Sequence, residues 1–560
     1  MNIVDEVKKA VEYTSKKKYK EAEKIYKEIL TLEPDNAIVL SCLGLLYLNI
    51  RMFGKAKKYL LKSASISPIS ATLEGLGLLY YYTKNEKLAV EYFEKVIDKT
   101  NNPEVFERYI DILLDKKRLT KAMELAEKYV KFYPFSKEAQ EYYGACLMSL
   151  GKFNQAYNLF NKLVKTHPKY WKAWQDLGLV YEMYFHDEEM AKLCYENIVK
   201  CGNKYVGYSN LIINASKRFA LDEAFEYIRK FDRFCRSKNK DYNKLNEYNN
   251  INFSKSVVYF KHRDFMKAYK YYIKGPADKM EAKPLDKLKN FWDGKTYKDE
   301  TLLLYFDQGI GDGIMFSRYI PFLAKKFKQV KAVTRGGIFE ISKRSFKQYK
   351  NVKFYTYKFH MPKYDKSMIA SNSPYYLKMS IDKIPYSEGY LIADKDKVDK
   401  YKEYINSDKF KVGICWEAGG AGWRELLNRT LNISLFEPFF GVKNTQFYSL
   451  QVNPTMDNYK DYKNLISLGD TFKDFDDTAG ALKNLDLLIT VDTSVAHLAG
   501  ALGVKTFMLL PYCPDWRWFD NDKTTEWYDS VTIFKQSNTK SWDDVIENIT
   551  VELDKLANHN

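Results

Sequence analysis

DLLITVDTSVAHLAGALGVKTFMLLPYCPDWRW, residues 486–518, decides how the second half of this chain is read. An apolar run (Leu487, Leu488, Ile489, Val491) gives way to Asp492-Thr493-Ser494. A helical pattern carrying His497 follows, then Gly503 and a second apolar run from Phe507 to Leu510. A strand that ends on Asp-Thr-Ser and turns directly into a helix gathers unpaired backbone N–H groups and the positive end of a helix dipole at one point. That arrangement suits phosphate, and a nucleoside diphosphate is its natural occupant.

Working outward, short apolar runs alternate with helical patterns. Residues 302–306 read as a strand, 309–313 (GIGDG) as a tight loop, 314–327 as an amphipathic helix and 330–334 as a second strand, a βαβ unit. A second series runs through strands at 412–416, 447–450, 487–491 and 506–510, with a helix after Asp476-Asp477-Thr478. The expected fold is therefore two Rossmann-like halves, 299–400 and 410–556, facing each other across a cleft, with ligand at the carboxyl ends of the strands. A nicotinamide fingerprint is disfavoured. Ile314 stands where the third glycine of GxGxxG belongs, and the second strand ends in Thr334-Arg335 rather than an acid.

The first half is repetitive. Ala22, Ala56, Ala89, Ala122, Ala156, Ala191 and Ala224 recur at steps of 33 to 35 residues. Pro34, Pro68, Pro134 and Pro168 each stand 12 residues after one of them, and Gly44, Gly77 and Gly144 each 12 before. Trp174-x2-Leu177-Gly178-x2-Tyr181 followed by Ala191-x3-Tyr195 resembles the tetratricopeptide (TPR) signature. The small residues let paired helices approach, and each proline ends a second helix. About seven units over 1–235, with a degenerate one at Ala268-x3-Tyr272, predict an α-solenoid over 1–275 whose concave face holds a peptide. A linker is expected at 276–298. The array's aromatic residues read as inter-repeat core, so none is named as a site.

Composition sets bounds. The formal charge of +17 comes from scattered lysines, with Lys16-Lys17-Lys18 the main run near the start; a solvated surface explains it, and nucleic-acid binding is not expected. Seven cysteines (Cys42, Cys146, Cys194, Cys201, Cys235, Cys415, Cys513) form no CxxC pair, which fits a reducing cytoplasm. Neither a signal region nor a window of about 18 uncharged apolar residues is found, so a soluble, cytoplasmic protein without a transmembrane segment is expected.

Four stretches carry a family resemblance: YFDQGIGDGIMFSRYIPFL (305–323), WEAGGAGWRELLNRTLNISL (416–435), FDDTAGALKNLDLLITVDTSVAHLAGALG (475–503) and PDWRWF (514–519). They resemble the C-terminal GT-B glycosyltransferase domain of bacterial TPR proteins. That domain is similar to the family 9 heptosyltransferases and, more remotely, to the TPR-bearing O-GlcNAc transferases. The resemblance implies an inverting, metal-independent glycosyltransferase that needs no cofactor, with a nucleotide-sugar donor as substrate and a protein or peptide acceptor selected by the TPR superhelix, such as a flagellin.

On this resemblance Asp312 matches the general base; N-capping of a helix starting near Ile314 is the alternative reading of the same residue. Thr493, Ser494 and Val495 would present N–H groups to the diphosphate, His497 would donate to a phosphate or sugar oxygen, and Asp492 would contact the sugar or cap the helix. Arg429 matches the first arginine of the family's Asp-Arg-x-Arg-Ser segment; here Asn428 replaces the acid and Leu431 the second arginine. Thr478 would border the nucleotide. Gly311, Gly313, Trp516 and Arg517 are candidate sugar or loop contacts, with buried packing the alternative for Trp516 and Trp518. Asp474-x-Asp476 imitates a metal-binding DxD but reads better as an N-cap cluster, so no metal site is assigned. Two other functions remain open: a transferase acting on a glycan or lipid-linked saccharide, and a TPR scaffold with a decayed transferase domain, suggested by Leu431.

Overall fold

A computed structural model of the chain describes residues 2–237, 246–274, 288–356, 362–419, 429–452, 462–519, 523–537 and 541–558. Much of the expected linker, part of the polar stretch after Ser237, and positions 420–428 of the second motif, Asn428 included, lie outside them. The chain forms two compact units, Met1–Val180 and Tyr181–Asn560.

The first unit consists of antiparallel helix pairs: Ile3–Ser15 with Tyr19–Leu32, Ala37–Asn49 with Phe53–Ile66, Ser70–Tyr82 with Glu86–Val96, Pro103–Asp115 with Leu119–Phe132, and Lys137–Ser149 with Phe153–Thr166, then Trp171–Val180. Ala22, Ala56, Ala89, Ala122 and Ala156 are wholly buried. The periodic glycines mark close approach: a Cβ on Gly77 would meet the Phe93 ring at 2.6 Å, and one on Gly144 the Phe160 ring at 2.4 Å. Gly144→Ala is therefore expected to lower stability by about 1–3 kcal/mol through overpacking. Gly54→Ala, at a site with nothing within 4 Å, should raise stability by up to about 1 kcal/mol. Urea unfolding of the two variants checks the pair, and a loss of equal size at both positions would refute the packing argument.

The first helix of each pair ends on a left-handed residue: Lys17, Arg51, Lys84, Lys117 and Gly151. The next residue's N–H returns to the carbonyl five positions back, as from Lys18 to Tyr13 and Met52 to Tyr47, both at 2.8 Å. Four of these five positions carry Lys or Arg, so the chain meets the modest cost of αL with a bonded turn rather than with glycine.

The second unit opens with more helices of the same series, Glu188–Lys200, Lys204–Lys217, Leu221–Ser237, Asn246–Lys261 and Phe265–Tyr272. The boundary between compact units thus lies inside the helical series, not at its end. Two wholly parallel sheets follow. The first has the order β3-β2-β1-β4, with β1 Tyr297–Tyr305, β2 Phe327–Thr334, β3 Val352–Thr356 and β4 Lys366–Ile369. The second has the order β10-β9-β8-β5-β6-β7, with β5 Phe410–Cys415, β6 Thr445–Ser449, β7 Leu465–Ser467, β8 Leu487–Val491, β9 Thr506–Leu510 and β10 Val531–Lys535. β8 and β9 are buried along their whole length, as the continuous apolar runs require of inner parallel strands. One apolar core joins Phe260, Phe265 and Tyr269 of the last helices to Leu302 and Leu304 of the first sheet and to Leu488 and Met508 of the second.

One reading of the sequence is corrected. GIGDG is not a tight loop: a helix runs Ile310–Ser317 with Gly309 as its N-cap, so Asp312 sits inside the first turn and does not cap. A second short helix, Ile320–Ala324, follows with Pro321 in its first turn, and β2 begins at Phe327, where the sequence pattern had placed the end of one long helix. The glycines serve packing rather than a turn. A Cβ on Gly311 would stand 2.8 Å from His497 Cδ2, and one on Gly313 2.7 Å from Ile338 Cδ1.

Candidate functional site

In both sheets the strand order reverses beside the first strand of the half. β1 lies between β2 and β4, and β5 lies between β6 and β8. Such switch points open a crevice at the carboxyl ends of the strands. Asp307, Gln308 and the helix bearing Asp312 follow β1, Ser371 follows β4, Arg429 follows β5, Asp492 to Val495 follow β8, and Asp515 to Trp518 follow β9.

Arg517 ties the end of β1 to the loop after β9. Its Nε and Nη2 donate to Asp312 Oδ1 at 2.7 and 2.6 Å, Nη1 to Asp515 Oδ1 at 2.7 Å, and Nη2 also to Gln308 Oε1 at 2.9 Å. Burial works against the guanidinium's charge, but Asp312 and Asp515 hold its pKa well above the usual value. Burial likewise works to raise Asp515, and Arg517 overrides it, holding that carboxyl low. Arg429 Nη1 lies 3.6 Å from Asp492 Oδ2, while its Nε has no hydrogen-bond partner among the described residues. Burial raises the Asp492 pKa despite Arg429.

The Ser494–Ala501 helix is capped by Thr493, whose hydroxyl accepts from Ala496 N at 3.4 Å. Ser494 and Val495, both half-buried, open this helix, where the first N–H groups have no partner within the helix. His497 lies one turn further in and is only 4% exposed. Its ring stacks on Trp518 (centroids 4.9 Å, interplanar 17°), and its Nδ1 shares a 3.1 Å hydrogen bond with the Tyr528 hydroxyl. Burial, then the charges of Arg517, Arg318 and Arg429, push its pKa down to about 3. His497 is therefore a buried, neutral ring packed against Gly311.

Trp516 is enclosed, stacked on Phe260 at 4.2 Å and beside Tyr272 at 5.4 Å, so it offers no face to a sugar; Trp518 is wholly buried. Gly311 and Gly313 are packing positions, and Arg517 belongs to the ion network. Thr478 is buried within the Phe475–Leu482 helix, with its hydroxyl directed at Asp474 O at 3.5 Å. Asp474 caps that helix by accepting from Asp476 N and Asp477 N at 3.0 and 3.2 Å. Asp476 pairs with Arg344, and Asp477 pairs with Lys397 at 2.7 Å and Lys400 at 3.3 Å. The acidic cluster is thus a cap, and among the described residues no group of three or more His, Cys, Asp or Glu side chains is placed to hold a metal ion.

Several members of the cluster had escaped notice. Asp307, 4% exposed, accepts from the Ser371 hydroxyl at 3.3 and 3.4 Å, and burial, with the charge of Asp312 adding to it, pushes its pKa up to about 7. Its signal was an acid at the end of a strand; Asp515 was legible inside PDWRW, whereas nothing local marked Ser371 or Tyr528. Surface hollows of about 520 Å³ (around Thr301, Lys331 and Tyr364) and 430 Å³ (around Phe346, Phe354 and Lys347) lie elsewhere on the first sheet and include none of these residues.

The fold and site define a protein with a TPR helical array ahead of a parallel-sheet α/β region. Tetratricopeptide repeat models match residues 7–36, 72–98 and 138–170, and such repeats fit a protein or peptide partner. "N-alpha-acetyltransferase 16, NatA auxiliary subunit" of Mus musculus is 24% identical over 196 residues, 33% of this chain; the chain spans 22% of that protein's length. Similar solved structures include YrrB, a TPR protein with an unusual peptide-binding site (18% identity, 31% of this chain and 91% of that one, TM-score 0.29). Others are a tetratricopeptide repeat protein from Parabacteroides merdae (16%, 41% and 92%, TM-score 0.35) and pilF of Pseudomonas aeruginosa (21%, 38% and 94%, TM-score 0.30). No helix of the described residues is long and apolar enough to cross a membrane.

Proposed function

We propose that the chain is an inverting GT-B-type glycosyltransferase that moves a sugar from a nucleoside diphosphate donor to a protein or peptide bound by the TPR array. The observation that carries the reading is the ion network at Arg517, which joins Asp312 after β1, at the first sheet's switch point, to Asp515 after β9 of the second sheet. In this reading the Ser494 and Val495 N–H groups and the helix dipole take the diphosphate, with Arg429 and Arg517 offsetting its charge. The acceptor hydroxyl gives its proton to Asp312 while its oxygen bonds to the anomeric carbon, and the bond from that carbon to the diphosphate breaks on the opposite face. Leu431, at the position of the family's second arginine, is buried in one apolar cluster with Trp416 and Ile433; in this reading Arg517 supplies the second positive charge from another loop.

Incubating the full chain with a panel of nucleotide sugars, alone and with lysate of the source cells, tests the reading. One donor should release its nucleoside diphosphate and add a sugar mass to a protein. If no donor were bound or consumed, the proposal would fail.

A further inference from the structure

Two arginines at the crevice are already paired with carboxylates, Arg517 with Asp312 and Asp515 and Arg429 with Asp492. An anion that engages the Nε and Nη2 edge of Arg517 must therefore displace Asp312. The exchange at Arg517 is the informative one. Two of its nitrogens converge on a single oxygen, Asp312 Oδ1, while Oδ2 is turned back toward the backbone, 3.3 Å from where a Cβ of Gly309 would stand. The oxygen paired with Arg517 already accepts two donors, which fills its two lone-pair directions.

We propose that Arg517 is a hand-over latch: on binding of a nucleoside diphosphate its guanidinium passes from Asp312 to the phosphates, opening Asp312 Oδ1 to the acceptor hydroxyl. This inference rests on the reading of the site as a diphosphate site. The loop can hold the residue through such an exchange. Asp515 grips Nη1 and caps the Trp516–Trp518 turn, and the Arg517 carbonyl accepts from Trp527 Nε1 at 2.6 Å, so the backbone stays fixed while Nε and Nη2 change partners. Arg517 is then a positioning residue for Asp312, and donor binding precedes acceptor activation.

Calorimetric titration of the full chain with inorganic pyrophosphate, comparing wild type, Asp312→Asn, Arg517→Gln and the double variant, tests the latch. Asp312→Asn should bind about tenfold more tightly than wild type, within the coupling ordinary for residues in contact. The gain should vanish when Arg517 is Gln. A gain that persists without Arg517 would be plain relief of negative charge and would overturn the latch, as would no gain in a wild type that binds. If none of the four chains bound pyrophosphate, both the latch and the diphosphate reading beneath it would fall. Should Arg517→Gln not fold, judged by its melting curve, Arg517→Lys replaces it. Lysine keeps the charge but cannot hold Asp312 and Asp515 from one rigid fork, so the gain from Asp312→Asn should shrink; an undiminished gain would overturn the latch.

Discussion

Acidification is expected to destabilise the sheet-bearing unit through His497 by about 2 kcal/mol between pH 6.5 and 4.5, and by about 4 kcal/mol in all at pH 3. The folded ring titrates near 3 against an ordinary value of 6.5. Its folded pKa is thus depressed, so the unfolded chain takes up the proton first. The contribution is complete above pH 6.5 and is lost as pH falls toward 3. Burial between Trp518 and Gly311 is the main cause, with the nearby guanidinium groups adding to it. Urea unfolding followed by tryptophan fluorescence is a suitable measurement, because Trp416, Trp516, Trp518 and Trp527 are all buried in this unit. His497→Gln should lose about 3 kcal/mol less than wild type between pH 7.5 and 4.5. Equal losses in the two chains would show that the ring is accessible and ordinary.

Asp307 should act in the opposite direction. Its folded pKa of about 7 lies above the ordinary 3.8, so the folded state holds the proton more tightly than the unfolded chain does. Stability associated with this group is present below pH 4 and is lost as pH rises toward 7, by about 4 kcal/mol in all. Asp307→Asn removes the titration while keeping a polar group against Ser371. Relative to wild type the variant should gain about 4 kcal/mol as pH is raised from 4 to 8, with the difference constant above that. A relative stability that does not change with pH would contradict the assigned burial. The two variants therefore bend the pH profile in opposite senses although both residues belong to one cluster.

Much of the fold was legible because it rests on periodicity. The alanines at steps of 33 to 35 residues are the wholly buried seams of the helix pairs, and β8 and β9 span their apolar runs, β9 starting one residue earlier at Thr506. The left-handed closures at Lys17, Arg51, Lys84 and Lys117 were not legible, because a bonded turn lets an ordinary residue stand where glycine is the usual signal. GIGDG misled for the converse reason: its glycines make room for His497 and Ile338 across a helix contact, and local sequence cannot distinguish that need from a turn. At the site, Asp312, Arg429 and Thr493-Ser494-Val495 were readable as strand-end residues. The partner of Asp312 was not, since Arg517 lies 205 residues away and the ion pair exists only once both sheets are formed. The enclosure of His497 and Trp516 was hidden likewise, because it depends on Tyr528, Phe260 and Tyr272, none of which is near them in sequence.

The central claim is that the open donors at the start of the Ser494–Ala501 helix receive a nucleoside diphosphate. Ser494→Pro tests it most directly. Proline is at home at the first helical position, and Thr493, at φ −135° and ψ 168°, already has the extended backbone that a residue before proline prefers. The change removes one N–H and one hydroxyl while leaving the helix in place. Affinity for a panel of nucleoside diphosphates, measured by calorimetry on the full-length wild type and on this variant, should reveal one that binds wild type and is weakened by about tenfold or more in Ser494→Pro at an unchanged melting temperature, the effect of losing one or two charge-assisted hydrogen bonds. Absence of binding in wild type, or equal affinity in the two chains, would contradict the account.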